Sequence, residues 1–186
     1  MVRLSSLEEI RRLYDERGGR TYGEGVTQIE HALQCASLAQ AEGAAPSLIV
    51  AALLHDLGHL FEDGEGVAAD ARHEAAGAGA LAGLFGEAVR GPIALHVAAK
   101  RYLCFKEADY VEALSAASQR SLRLQGGPLD AVGAAAFERL PHWQDAVALR
   151  RWDDAGKRQE ASARTFADFA TLMRDLTTGG ATRAGP

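Results

Sequence analysis

Cysteine is scarce: Cys35 and Cys104 are the only two in 186 residues, far apart and without a CxxC neighbour. A disulfide framework is excluded as the organising feature, and the reducing cytoplasm is the expected location. Aromatic residues make up 6% of the chain and β-branched residues are few, which argues against a β-sandwich. No apolar run reaches the length needed to cross a bilayer, and the opening MVRLSSLEEI turns polar too early for a signal peptide. An excess of basic charge is missing as well. The formal net charge is -5 and the arginines are scattered, so neither nucleic acid nor a membrane is an expected partner. An anionic small molecule stays compatible with this balance, because a few local cations suffice to bind one.

What the chain does have is alanine, 37 residues, joined by 20 glycines. Side chains this small suit closely approaching helices, and the expected class is all-α, a single domain over residues 1–178 with a flexible tail at 179–186. Residues 5–17 begin with a capping-box pattern and continue at helical spacing. A second helix is expected at about 26–42. A third starts at Pro46, and its segment SLIVAALLHDLG is apolar almost all round, as for the central helix of a bundle. Further helices are expected from His73 to about Leu84, over 87–104 with an interruption near Pro92, and as two short pieces within 106–125. AVGAAAFERL reads as a short segment, Pro141 is expected to open a helix through Lys157, and an amphipathic helix closes the fold at about 162–176.

The polar residues that break this apolar pattern carry the functional signal. In LLHDLGHLF, His55 and Asp56 are adjacent on a helix that otherwise reads as buried, where an unpaired carboxylate is costly. A metal ion removes the difficulty by satisfying imidazole and carboxylate together. A lone histidine on such a helix is more often a hydrogen-bonded core residue than a ligand. Here, however, His31, His73, His96 and Asp153 interrupt four further predicted helices, and five of the six histidines belong to this set or to its neighbour His59. His31, His55, Asp56 and Asp153 can hold one ion, and Asp56, His73 and His96 a second with positions left open. A nitrogen and oxygen set without thiolate fits Fe, Mn, Co or Zn in a catalytic site.

Other residues gather round this set by helical spacing. His59 lies one turn beyond His55, Lys100 one turn beyond His96, and Arg150 three positions before Asp153. With Ser118 and Ser121 they can form an anion pocket, although each taken singly also suits a solvated face, an ion pair or a helix cap. Tyr22 and Glu24, flanked by glycine, can approach the cavity as a cover and as a receiver of a substrate cation. Tyr102 and Phe105 can enclose an apolar or cationic portion of a substrate, with ordinary packing as the default.

The order H...HD...H...H...D resembles the HD-domain superfamily. The fuller series YGEGVTQIEHALQ, LLHDLGHL, the His73 segment, LHVAAKRYL and ALRRWDDAGK is similar to the mixed-valent diiron oxygenases that cleave organophosphonates, the PhnZ-like and TmpB-like families, over about residues 20–158. The resemblance implies an HD-domain helical bundle with two Fe ions, active as Fe(II)/Fe(III), and O2 as co-substrate. It implies that His31, His55, Asp56 and Asp153 bind the first iron and that Asp56, His73 and His96 bind the second. Asp153 is preferred over the adjacent Asp154 on its place in RRWDD. His59, Lys100, Ser118, Ser121 and Arg150 would surround the phosphonate oxygens, Tyr22 would close the resting site and Glu24 would face the nitrogen end. The implied reaction is oxidative cleavage of the carbon-phosphorus bond of a 1-hydroxy-2-(trimethylammonio or amino)ethylphosphonate, giving phosphate and glycine betaine or glycine. The trimethylated substrate is slightly favoured on account of Tyr102 and Phe105. The alternatives are an HD-type phosphohydrolase acting on a nucleotide or other phosphate ester, a polyol oxygenase and a non-catalytic metal-stabilised sensory module.

Overall fold

The computed structural model describes residues 2–21, 25–61, 72–159 and 162–178. Tyr22, Glu24 and the tail expected at 179–186 lie outside them. Among the described residues the architecture is all-α, with no strand and a single antiparallel bridge between Phe85 and Thr177. Among the described residues no helix is long and apolar enough to cross a membrane.

Helix α1 spans Leu7–Arg17, and the Ser6 hydroxyl caps it by accepting the Glu9 N–H. Helix α2, Gln28–Ala41, is capped by Thr27 in the same way. Helix α3, Pro46–Leu54, starts with proline at its first position, where no N–H is needed, and every residue from Leu48 to Leu54 is buried. Each fully buried leucine here contributes about 1.5–3 kcal/mol. After α3 come a turn and a short 3-10 helix, Leu57–Phe61, then α4, His73–Ala80, and α5, Glu87–Lys106. The chain continues through α6 (Tyr110–Ala113), α7 (Ala116–Leu124), α8 (Ala131–Phe137) and α9 (Trp143–Ala155) to a 3-10 turn at Phe166–Phe169 and α10 (Ala170–Leu176).

Around the central α3 pack α2, α5, α9 and α10, while α4 lies against α5 and the first 3-10 helix. Alanines 36, 39, 51, 52, 99 and 146 are buried to within 1%, so the alanine content does let helices approach closely. A second, smaller core joins Ala99, Tyr102, Leu103, Ala134, Phe137 and Ala146.

Three expected boundaries move for identifiable reasons. Helix α5 runs unbroken through Pro92: the residue before a proline resists helical geometry because its Cβ meets the ring, and Gly91 has none. Pro141 does not open α9. His142 stands between them with φ 63°, its ring over Gly91, where an added Cβ would lie 2.7 Å from His142 Cδ2. The final helix starts late because Thr165 and Asp168 form a capping box, while the Ser162 N–H is held outside by the Glu30 carboxylate at 2.7 Å.

Candidate metal centre

Helix α3 ends at Leu54 and leaves His55 and Asp56 on the turn that follows. The chain must then pass very close to the start of α4, because a Cβ built on Gly58 would lie 2.0 Å from the His73 carbonyl oxygen. Only glycine permits that contact. It brings the first residue of α4 beside Asp56, while α2 supplies His31, α5 supplies His96 and α9 supplies Asp153.

Four imidazoles converge on one carboxylate. Asp56 Oδ1 lies 3.5 Å from His55 Nε2, 3.4 Å from His73 Nε2 and 3.6 Å from His96 Nε2, and its Oδ2 lies 3.6 Å from His31 Nε2. Asp153 approaches from the other side, 3.4 Å from His31 Nε2 and 3.9 Å from His55 Nε2. The rings pair, with His31 Nε2 3.3 Å from His55 Nε2 and His73 Nε2 3.0 Å from His96 Nε2.

The second ring nitrogens show what this arrangement demands. His31 Nδ1 meets the Gly156 carbonyl at 2.8 Å, His55 Nδ1 that of Ala52 at 2.9 Å and His96 Nδ1 that of Ile93 at 2.7 Å. A carbonyl only accepts, so each Nδ1 carries a hydrogen and each Nε2 of a neutral ring presents a lone pair. Lone pairs therefore face one another across the His31–His55 pair, which calls for a cation between them, and His96 presents a lone pair toward His73. Burial keeps His55 and His96 below the ordinary imidazole value. Burial acts the same way on His31 and His73, but Cys35 and Asp153 beside the first and Asp56 beside the second hold both above it. A cation between the His31 and His55 nitrogens meets that demand, and imidazole nitrogens with two carboxylates fit a metal ion there. Both carboxylates are ionised: burial works to raise them, but His55 together with His73 and His59 holds Asp56, and Arg150 together with Lys157 and the neighbouring imidazoles holds Asp153, well below the usual carboxylate range.

Cys35 adjoins this cluster, 3.7 Å from His31 Nδ1. It lies nearly as close to Nε2, at 3.8 Å, its thiol donates to the Trp152 carbonyl at 3.4 Å, and burial pushes its pKa up. It packs against the His31 ring, and with His31 and His55 it forms a group whose ligand atoms all lie within 4.8 Å of one another.

Beside the cluster opens a cavity of about 90 Å³, lined by His59, Lys100, Ser118, Ser121 and Arg150 and also by Lys157, Arg120, Gln28, Val26 and Val97. Lys100 Nζ donates to Ser121 Oγ at 2.6 Å, and Lys157 Nζ to Ser118 Oγ at 3.0 Å. Arg150 donates to Asp153 Oδ2 at 2.6 Å and to Ser118 Oγ at 3.4 Å. Asp154 turns the other way, toward Arg150 Nε and the Tyr110 hydroxyl, so the two adjacent aspartates are told apart by direction. His59 stacks on His73 with ring centroids 3.9 Å apart, and burial together with His73 pushes it down to about 3. It is neutral at physiological pH. Burial and the neighbouring Arg150 bring Lys100 down to about 8.

Two expected residues lie elsewhere. Tyr102 packs in the smaller core against Phe137 and Trp143 and donates to Glu138 at 2.6 Å, and Phe105 is 43% exposed. Neither lines the cavity, because both fall on the side of α5 turned from His96 and Lys100. Lys157 and Gln28 were missed. Lys157 stands four residues after Asp153, an ion-pair spacing, and its Nζ lies 3.5 Å from Asp153 Oδ1. Gln28 stands three before His31 on the same helix.

No family model matches the chain. A hydroxymethylphosphonate dioxygenase of Gimesia maris is 50% identical over 160 residues, 83% of this chain and 78% of the relative. A [1-hydroxy-2-(trimethylamino)ethyl]phosphonate dioxygenase (glycine-betaine-forming) of Leisingera caerulea is 41% identical over 179 residues, 91% of this chain and 89% of the relative. The chain belongs to the phosphonate dioxygenase family. An uncharacterized protein of Acanthamoeba polyphaga mimivirus is 33% identical over 177 residues, 91% of this chain and 81% of the relative. The PhnZ-like oxygenases to which the motifs pointed are this family, and in this member a His/Asp cluster suited to a metal stands beside a cationic pocket.

Proposed function

We propose that the chain catalyses O2-dependent cleavage of the carbon-phosphorus bond of a 1-hydroxyalkylphosphonate, releasing phosphate and a carboxylate. The observation that carries this reading is the convergence of four imidazoles on Asp56 next to a pocket of Lys100, Arg150 and two serine hydroxyls. In this reading His31, His55, Asp56 and Asp153 hold one iron, and Asp56, His73 and His96 hold the other. The Fe(II)/Fe(III) pair supplies activation of O2 and a grip on the substrate hydroxyl. Lys100 and Arg150 orient the phosphonate dianion by charge, with Ser118 and Ser121 giving hydroxyl contacts. His59, kept neutral, offers a ring N–H rather than a second positive charge. Tyr22 is assigned to cover the site, and Glu24 to meet the cationic end of an amino or trimethylammonio substrate where the substrate has one. The catalytic unit is the single domain of residues 1–178, and the free thiols of Cys35 and Cys104 suit the cytoplasm.

The preference for a trimethylated substrate rested on Tyr102 and Phe105 and falls with their positions. Among the described residues the cavity has no aromatic wall apart from histidine rings, and its carboxylates, Asp56 and Asp153, are engaged with imidazoles. Hydroxymethylphosphonate, named for the relative at 50% identity, is therefore the favoured substrate. Its oxidation balances as one O2 consumed per formate, phosphate and proton released. The glycine-betaine-forming relative keeps the trimethylammonio compound as the second reading.

The reaction is tested by incubating iron-loaded protein with hydroxymethylphosphonate and with the amino and trimethylammonio compounds, under air and under nitrogen. Phosphate is expected in air only, fastest from hydroxymethylphosphonate, with isotope from labelled O2 entering the carboxylate. Equal phosphate release under nitrogen, or release from phosphate esters, selects the phosphohydrolase instead.

Lys100 gives this reading a pH signature. As pH rises through about 8 its ammonium is lost, so KM for the phosphonate is expected to climb above that pH. Lys100→Met should raise KM about 10- to 100-fold, the value of one charge-assisted hydrogen bond, and abolish the climb. A flat KM from pH 7 to 9.5 in the wild type rejects the assignment.

A further inference from the structure

Three of the four imidazoles around Asp56 share one device. His31, His55 and His96 each give the Nδ1 hydrogen to a main-chain carbonyl, at 2.8, 2.9 and 2.7 Å. That bond fixes the ring's orientation and leaves Nε2 as the donor of a lone pair. His73 is the exception. Its Nδ1 is buried and has no hydrogen-bond partner, and the same holds for Glu74 Oε2, which lies 3.8 Å away. Both side chains are largely out of solvent, at 7% and 17% exposure. A buried donor and a buried acceptor, complementary in chemistry, face each other just beyond bonding distance. An approach of about 1 Å makes the bond.

We infer that Glu74 is the positioning residue for His73: its carboxylate accepts the Nδ1 hydrogen and holds Nε2 toward Asp56 and His96. The inference rests on the metal-pair reading above and adds a consequence to it. A carbonyl brings a dipole, whereas a carboxylate brings a full charge, so His73 becomes a stronger electron donor than the three carbonyl-backed rings. The two metal positions are then unequal by construction, the one served by His73 and His96 having the richer donor. No other described imidazole of the cluster has a carboxylate at its Nδ1. Glu74 does not line the cavity and has no ion pair to Asp56 among the described contacts, so its action passes through His73.

Co(II) titration of the metal-free full chain tests this, with visible absorption reporting each site and circular dichroism reporting the fold. The wild type is expected to bind two ions. Glu74→Ala should weaken one of them about 10- to 100-fold, the usual effect of losing such an outer partner, and leave the other unchanged. Glu74→Gln keeps an acceptor without the charge and should lie between the two. Unchanged binding of both ions in Glu74→Ala overturns the inference, as does equal weakening of both or a Gln variant no better than Ala. If Glu74→Ala loses helix content, Glu74→Gln decides alone: one ion weakened supports the role, and none or both weakened overturns it. A wild type that binds fewer than two ions overturns the metal-pair reading and this inference together, whereas two ions in the wild type with unaffected variants removes only Glu74.

Discussion

Asp56→Asn is expected to lower O2-dependent phosphate release by about three orders of magnitude or more, equivalent to roughly 4 kcal/mol of barrier, and to reduce the content of both metal ions. The reason lies in its position. One carboxylate stands within 3.6 Å of four imidazole nitrogens, so it is the shared negative charge for the whole cluster. Asparagine keeps the volume and one acceptor oxygen but removes that charge, and the two ring pairs are left to hold cations without it. The fold should persist in part, since α3 is buried by leucine, isoleucine, valine and alanine rather than by the site. Some stability is lost with the metal because its binding energy is also folding energy. Metal analysis and circular dichroism on the same sample separate the effects. Two tightly bound ions and more than a tenth of the activity in this variant would falsify the shared-carboxylate role.

Arg150→Met is expected to act on stability more than any other substitution in the pocket. The guanidinium is buried, bonds Asp153 at 2.6 Å and also pairs with Asp154 and Ser118. Removing one partner of a buried ion pair leaves the other charge uncompensated, which costs about 3–5 kcal/mol. For a chain of this size that corresponds to a fall in Tm of roughly 6–20 °C. The loss has a pH signature whose sign follows from Asp153. Burial acts to raise its pKa, but Arg150 and Lys157 hold it well below the usual carboxylate range. Its pairing therefore stabilises the fold above that range, and the contribution disappears as pH falls through the lowered value. The gap in Tm between wild type and variant should be full at pH 7 and narrow in acid. An unchanged Tm at pH 7, with KM raised alone, would show that Arg150 serves the substrate without supporting the helix that carries Asp153.

The helices were readable because their signals are local. Ser6 and Thr27 cap where their sequence neighbours require it, Pro46 starts α3, and glycine ends α1. Boundaries failed where a distant residue intervened: Gly91 lets Pro92 stay in a helix, and the same glycine receives the His142 ring that delays α9. The cluster was readable for a related reason. His31, His55, Asp56, His73, His96 and Asp153 each interrupt an apolar pattern, and a buried polar group demands a partner wherever the chain folds.

The sequence by itself determined the helical class, the central place of the α3 segment, the family and the inventory of imidazole and carboxylate donors, because composition, capping and burial cost act residue by residue. Only the tertiary structure decided direction. Successive residues on a helix diverge by about 100°, so Asp153 faces His31 and His55 while Asp154 faces Tyr110, and Tyr102 enters the smaller core although Lys100 lines the cavity. Close approach was likewise decided in three dimensions: Gly58 against the His73 carbonyl sets where α4 begins, and with it the pairing of His73 to His96. Such contacts join segments whose sequence separation carries no periodic signal, and their energy exists only once the helices have packed.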